Sequence, residues 1–463
     1  MSAGPGLVLR RNYLSAIENV AQTIGTMGPT ATLGTIVPLL IGKTGNATWL
    51  LVAGIWGIFF LIALNITKFA AHTVSAGSLG TYVQMGLGKW PGVFTGWSYV
   101  IALTFVVASS GLSSAYYVDL LIVKFTGSPS SLLRSALLTD ALVLAAWWPA
   151  RRDIKLSTKI MLVVELVSVA VILFIVFVAM LHTGHWVDRP QLELAGATPE
   201  KFRLGFVLAF MMLAGFESTT TLSEEAKSAT TTIPKVMLNC LIPVGLLYLF
   251  STYCLAALSH DHSIALDQTD SPFDAIAASI GVGSLGWISS FGVATSCFVC
   301  ALGGLNAGSR VLYSMARHGQ FLPKFGEAHP VNATPHRAMA LITAVSLVVP
   351  VTLIYCGVEM ANGMDYLMQV ASFGFIAAYF LICLGTPVYL ARVKALQPVN
   401  VMIAVVTLAV IGLVLVLTVY PLPPAPYCYF PYVFAALVLT GCAVSAYCGR
   451  LAPVSGADPA TPP

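Results

Sequence analysis

Stretches of about twenty apolar residues, nearly free of charge, recur along the whole of this chain. The stretch 399–420, for example, holds no charged side chain at all. About 20 such residues make a helix long enough to cross the hydrocarbon of a bilayer. In that medium only a helix or a closed barrel satisfies its own backbone. Charged residues make up 9% of the 463 and apolar ones 57%, where a soluble domain carries roughly 25% charged. The chain reads as an all-α integral membrane protein of about twelve transmembrane helices, over 16–42, 48–67, 93–123, 133–149, 158–182, 203–223, 235–258, 284–314, 338–357, 363–391, 399–420 and 427–449.

Orientation follows from Lys and Arg, which gather on cytoplasmic loops. With the N-terminus inside, seventeen of them fall on the inner side and six on the outer, together the 23 of the sequence. Both termini are expected in the cytoplasm and the protein in the cell membrane. Residues 1–15 are polar to mixed and form a cytoplasmic lead-in without a cleavable signal, and 451–463 form a disordered Pro- and Ala-rich tail. The stretch 70–91 is amphipathic and Gly-rich, an interfacial helix, and the mixed stretch 260–283 is an outer loop or short lid.

The composition also excludes. A net charge of +4, dispersed over loops, is no nucleic-acid surface. No H-E-x-x-H, no aspartate-rich metal motif and no phosphate-binding G-x-x-x-x-G-K-[ST] loop occurs, so the chain is not read as an enzyme, has no catalytic or metal site and does not use ATP directly. His260 and His262 are taken as solvated loop residues, and Cys297 and Cys300 as small packing residues. The partners implied are the lipid bilayer and a small solute.

The most telling positions are interruptions. Span 1 carries Gly25-Thr26-Met27-Gly28-Pro29-Thr30 at its middle. Proline lacks an N–H and clashes with the carbonyl four residues back, and it pushes its predecessor out of helical geometry. Span 6 carries Met211-Met212-Leu213-Ala214-Gly215-Phe216-Glu217, a glycine beside an ionisable carboxyl at membrane depth. Broken segments at matching places in two halves point to a transporter's binding site. The breaks lie about 190 residues apart, which fits a five-helix unit repeated with inverted topology: helices 1–5 over 16–182, helices 6–10 over 203–393, and helices 11–12 appended over 399–449. Thr30, Ala31 and Thr32 would bare N–H groups that favour a carboxylate, and carbonyls of 22–25 and 211–214 would favour an ammonium. Such a pocket suits a zwitterionic amino acid; the carbonyl side alone suits an amine.

Beside these features stand Gly215-Phe216-Glu217, Glu224-Glu225 and Ile233-Pro234, then Ser309-Arg310, Met315-Ala316-Arg317-His318-Gly319, Leu322-Pro323 and Thr334-Pro335-His336, with Ser75-Ala76-Gly77 and Gly96-Trp97 before helix 3. In these the chain resembles the amino acid–polyamine–organocation permeases. The resemblance implies a LeuT-type 5+5 inverted repeat and alternating access. It places the substrate carboxylate at Met27 to Thr30, the amine on helix 6 carbonyls, and Glu217 in gating or as a structural hydrogen-bonding carboxyl. No cofactor is implied beyond a coupling ion, H+ or Na+. Two departures stand out. Gly28-Pro29-Thr30 replaces the family's frequent G-S-G, removing one N–H. The lysine that many members carry on helix 5 is replaced by Ser168, with Glu165 one turn earlier. Glu165 is either a proton carrier or the partner of a cation on a neighbouring helix.

The expected substrate-binding set is Gly25, Thr26, Met27, Gly28, Pro29, Thr30, Met211, Ala214, Gly215 and Phe216, with Glu217 and Glu165 in gating or coupling. The function implied is secondary active transport of an amino acid, neutral by the apolar character of these residues, or of a related amine. The alternatives are a polyamine or organic-amine importer and an obligate exchanger. Glu18, Asp119 and Asp140 are taken as structural, with Glu18 paired to Arg10 or Arg11. Ser109, Ser110, Ser113 and Ser114 are taken either as pocket lining or as small packing residues.

Overall fold

The computed structural model describes residues 8–261, 264–281, 283 and 286–451. His262 and the tail 452–463 lie outside the described residues. In chain order the α-helices are α1 (Ala16–Met27), α2 (Pro29–Thr44), α3 (Thr48–Ala70), α4 (Ser78–Leu87), α5 (Lys89–Thr126), α6 (Leu132–Arg152), α7 (Ile154–Thr183), α8 (Arg189–Leu192), α9 (Pro199–Met211), α10 (Ala229–Asp261), α11 (Pro272–Ser279), α12 (Gly286–Arg317), α13 (His336–Tyr355), α14 (Met360–Arg392), α15 (Pro398–Val419) and α16 (Phe430–Leu451).

Ten stretches among the described residues are long and apolar enough to span a bilayer. The first, Ala16–Ala70, holds two spans, the broken α1–α2 and α3, so ten stretches make eleven. The twelfth is α6, less apolar because it carries Arg134 and Asp140, which runs against α5 and α13. This all-helical bundle, with no strand among the described residues, fits the inverted-repeat architecture expected from the sequence.

The core is built on α5, which packs chiefly along α12 and α14. Small residues let these backbones approach. A Cβ on Gly374 would lie 2.4 Å from the Ser98 carbonyl, and one on Gly304 2.7 Å from the Val107 side chain. The apolar side chains of α7 and α15, among them Val163, Val167, Phe174, Met402, Val405 and Val416, are exposed. Exposed apolar surface of this extent is what a membrane protein presents to its surroundings rather than to water. Of the two irregular stretches, 70–91 forms α4, and 260–283 contains the short α11.

Glu18 does not pair with Arg10 or Arg11. It closes a capping box, accepting from the Ser15 backbone N–H at 2.7 Å and from the Ser15 hydroxyl. Arg10 lies instead 3.4 Å from Asp153. A carboxylate is better placed on free N–H groups at a helix start than reaching outward. Asp119 pairs with Arg134 at 2.5 Å, while Asp140 leaves Oδ1 buried without a partner among the described residues.

Candidate functional site

Both interruptions are present, and they face each other. Between α1 and α2 a single residue, Gly28, takes the left-handed conformation (φ 53°). It closes α1 by donating to the Ile24 carbonyl at 3.0 Å, and its own carbonyl accepts from Thr32 at 2.9 Å to start α2. Pro29 then sits at the first helical position, where no N–H is missed. Because α1 runs on to Met27, the carbonyls at its end are those of 24–27, not 22–25. The Gln22 carbonyl instead accepts from the hydroxyls of Thr26 and Ser218.

The second interruption is longer. Helix α9 stops at Met211, Gly215 turns the chain at φ 93°, and Phe216–Leu222 continues as a 3-10 helix. Seven residues is long for a 3-10 helix, a form that in mid-helix often marks a hinge. Its side chains account for it. Thr220 and Thr221 donate to the carbonyls of Glu217 (2.6 Å) and Ser218 (2.7 Å), and Thr219 donates to Asn19 at 3.0 Å. All seven residues are buried. The run of hydroxyls in Ser218-Thr219-Thr220-Thr221 was a sequence signal, but the distant partners of Ser218 and Thr219 on α1, and the Ser78 hydroxyl of α4 that pairs with Thr220, were not legible.

A cavity of about 50 Å³ lies where the breaks meet. It is lined by Thr26, Met27, Ala31, Thr32, Thr35 and Ile36 from α1 and α2, by Met211 and Ala214 from the second break, by Val106, Ser110 and Ser113 of α5, by Cys297 and Cys300 of α12, and by Met368 and Phe375 of α14. One water takes roughly 10–15 Å³ on this measure, so the space suits a handful of heavy atoms. Of the twelve expected site residues, four line it: Thr26, Met27, Met211 and Ala214. The others stand behind it. Gly25 is pressed between Met161 and Val299, Gly28 lies against Cys300, and Gly215 lies against Thr26. Phe216 is fully buried, its ring 5.7 Å from Phe59 and 6.0 Å from Tyr379.

Cys297 and Cys300 are therefore not merely packing residues. They sit one turn apart on one helical face, and the Cys300 thiol donates to the Thr26 carbonyl at 3.1 Å. The helix 3 serines divide: Ser110 and Ser113 face the cavity, whereas Ser109 and Ser114 donate to the carbonyls of Met364 and Ala294 at 2.8 Å each. The i, i+3 spacing of each lining pair was legible. Which face of α5 and α12 turns inward was not.

The two intramembrane carboxyls take different roles. Glu217 is fully buried. Its Oε2 accepts from the Tyr379 hydroxyl at 2.6 Å, and that hydroxyl accepts from the Gly215 N–H at 3.3 Å. The contact ties the second break to α14. Glu165, 1% exposed, has no cation beside it among the described residues. Instead Oε1 accepts from the Thr30 backbone N–H at 2.9 Å, and the Ser296 hydroxyl donates to Oε2 at 2.7 Å. The Ala31 N–H in turn donates to Ser296 Oγ at 2.9 Å. The N–H groups expected to lie bare at Thr30, Ala31 and Thr32 are thus all engaged.

The end of the bundle that carries the N-terminus is shut. The N–H groups of Tyr13 and Leu14 donate to the Glu225 carbonyl at 2.7 and 2.8 Å, and Lys227 donates back to the Leu14 carbonyl at 2.8 Å. Leu14 is buried with Ile154 and Leu222. Below it Arg310, fully buried, faces Glu225 in a two-pronged ion pair of 2.5 and 3.1 Å. Tyr13 donates to Asp153 at 3.1 Å; burial, aided by the Asp153 carboxylate, raises its phenol above the usual range and keeps it a donor. At the outer end His260 Nδ1 lies 2.9 Å from Asp188, so this histidine is held by a neighbour rather than free in a loop.

Two interrupted helices that face each other across a small cavity, in a bundle with a lipid-facing skin, define a membrane transporter of the inverted-repeat type. The amino acid permease family matches residues 14–443, and this chain belongs to it. Its family is one of permeases, not enzymes. The chain is 27% identical to a low-affinity putrescine importer of Escherichia coli over 62% of its own length and 63% of the importer's. It is 25% identical to a methylthioribose transporter of Bacillus subtilis over 60% and 61% of the two chains. With an L-asparagine permease of Escherichia coli it shares 26% identity over 78% and 72%. The matched part thus spans less than two thirds of the first two relatives.

Proposed function

We propose that this protein is a secondary active transporter that carries a small amine-bearing solute, an amino acid or a related amine, across the cytoplasmic membrane by alternating access. The observation that carries the reading is the cavity between the two breaks, sealed from the N-terminal end by the Leu14 and Glu225 contacts and the Arg310–Glu225 pair. A solute held at broken helices near mid-membrane is the arrangement by which transporters alternate access. Relatives named for putrescine and asparagine transport support the substrate class.

In this reading the repeats are 16–182 and 203–393, with 399–449 appended. Both termini face the cytoplasm, because Lys and Arg crowd the end that carries them. The gradient is of H+ or Na+, and Glu217 and Glu165 are the gating and coupling candidates. An obligate exchanger would share this geometry.

Reconstitution into proteoliposomes tests the proposal. We expect uptake of an amino acid or amine that responds to an imposed proton or sodium gradient. Uptake that needs internal substrate and ignores both gradients would identify an exchanger. No flux of either solute class under any condition would refute transport.

A further inference from the structure

The start of α2 is the natural receptor for a substrate carboxylate in this architecture, since a helix N-terminus presents unpaired N–H groups and positive dipole. A complete accounting of those groups leaves none for a ligand. Gly28 donates to the Ile24 carbonyl. Pro29 has no N–H. Thr30 donates to Glu165 at 2.9 Å, Ala31 to Ser296 at 2.9 Å, and Thr32 to the Gly28 carbonyl at 2.9 Å. Ser296, already accepting from Ala31, keeps its own hydrogen for Glu165. A buried side-chain carboxylate, held by the Thr30 N–H and the Ser296 hydroxyl and without a cation among the described residues, occupies the place of a ligand's.

The cavity on the other side of the break matches. No Lys, Arg or His is among its described lining residues. Its polar groups are the hydroxyl residues Thr26, Thr32, Thr35, Ser110 and Ser113, the thiols of Cys297 and Cys300, and carbonyls such as that of Thr26, which accepts from the Cys300 thiol. A carbonyl has two lone pairs, so these groups accept from an ammonium readily. A carboxylate entering here would find no cationic donor among the described lining residues, and the helix start that would receive it already holds the Glu165 carboxyl.

We propose that Glu165 is a built-in substitute for the substrate carboxylate, and that the site takes a small carboxylate-free organic amine rather than an amino acid. This rests on the transport reading above and narrows it. The specificity lies in two residues of this chain: Pro29, which deletes one N–H, and Glu165, which takes the next. Glu165 is a specificity residue that acts through the helix end it caps.

The test uses the full chain in lipid nanodiscs and compares each amine with the amino acid that yields it on decarboxylation: isobutylamine with valine, and putrescine with ornithine. On the wild type we expect at least about tenfold tighter binding of the amine in one or both pairs, the scale of one opposed charge. Glu165→Ala, which frees the Thr30 N–H and removes the charge, should weaken the amine and strengthen the amino acid, narrowing that ratio at least about fivefold. Should Glu165→Ala fail to fold, Ser296→Ala opens the Ala31 N–H instead and should narrow the ratio in the same direction. Equal or tighter binding of valine and ornithine by the wild type overturns this inference and leaves the transport proposal standing. Binding of neither class overturns both.

Discussion

Arg310 and Glu225 meet deep in the bundle, Nε to Oε2 at 2.5 Å and Nη2 to Oε1 at 3.1 Å, with both side chains at 1% exposure or less. The remaining prong of the guanidinium donates to the Asn306 carbonyl at 3.0 Å. The carbonyl of Glu225 is the one that receives Tyr13 and Leu14. Breaking a buried pair from one side strands a charge, at a cost of about 3–5 kcal/mol. Arg310→Ala or Glu225→Ala should therefore lower the melting temperature sharply in detergent. The double variant Arg310→Met, Glu225→Met should recover part of the loss, because no uncompensated charge remains.

The seal at the N-terminal end should be separable from global stability. Leu14→Ala removes a fully buried side chain from its pocket with Ile154 and Leu222, a loss of about 2–5 kcal/mol in a core. Under the proposed alternating access, it falls on a contact that opens during transport. We expect several-fold faster modification of Cys300 by a small methanethiosulfonate reagent, slowed again by bound substrate. Cys300→Ala in the Cys297→Ala background removes the signal and shows that it comes from the cavity.

Gly215 tolerates no side chain. Its φ is 93°, and a Cβ there would lie 2.9 Å from Thr26 Cγ2 on the opposing break. Gly215→Ala should abolish uptake. Gly57 in α3 has nothing within 4 Å of a built Cβ, so Gly57→Ala should leave uptake intact and stabilise the helix by roughly 0.5–1 kcal/mol.

The Tyr379 hydroxyl serves both Glu217 and the Gly215 N–H. Glu217 Oε1 already lacks a partner. Tyr379→Phe deletes the hydroxyl that donates to the carboxyl at 2.6 Å, and weakening the donors of a buried group costs about 1–3 kcal/mol or more if charged. We expect reduced maximal uptake with folded protein still present, read by size-exclusion profile and transport rate together.

Much of this molecule was legible from its sequence alone. Apolar stretches of about twenty residues have the length of a spanning helix, so the spans and their order were legible from composition and length, except α6, which lies outside the ten stretches apolar enough to cross. Gly28-Pro29 and the Gly215 region marked where those helices could break, although Pro38, Pro234, Pro243, Pro350 and Pro387 sit inside continuous helices. Tertiary structure alone decided which groups answer the broken ends. The partner of the Thr30 N–H lies 135 residues away, and that of the Ala31 N–H 265 residues away. A free N–H at a helix start announces a need for an acceptor but not its identity. Whether a substrate or the chain's own Glu165 meets that need is fixed by how α7 and α12 pack against the break, and no local pattern of residues encodes that.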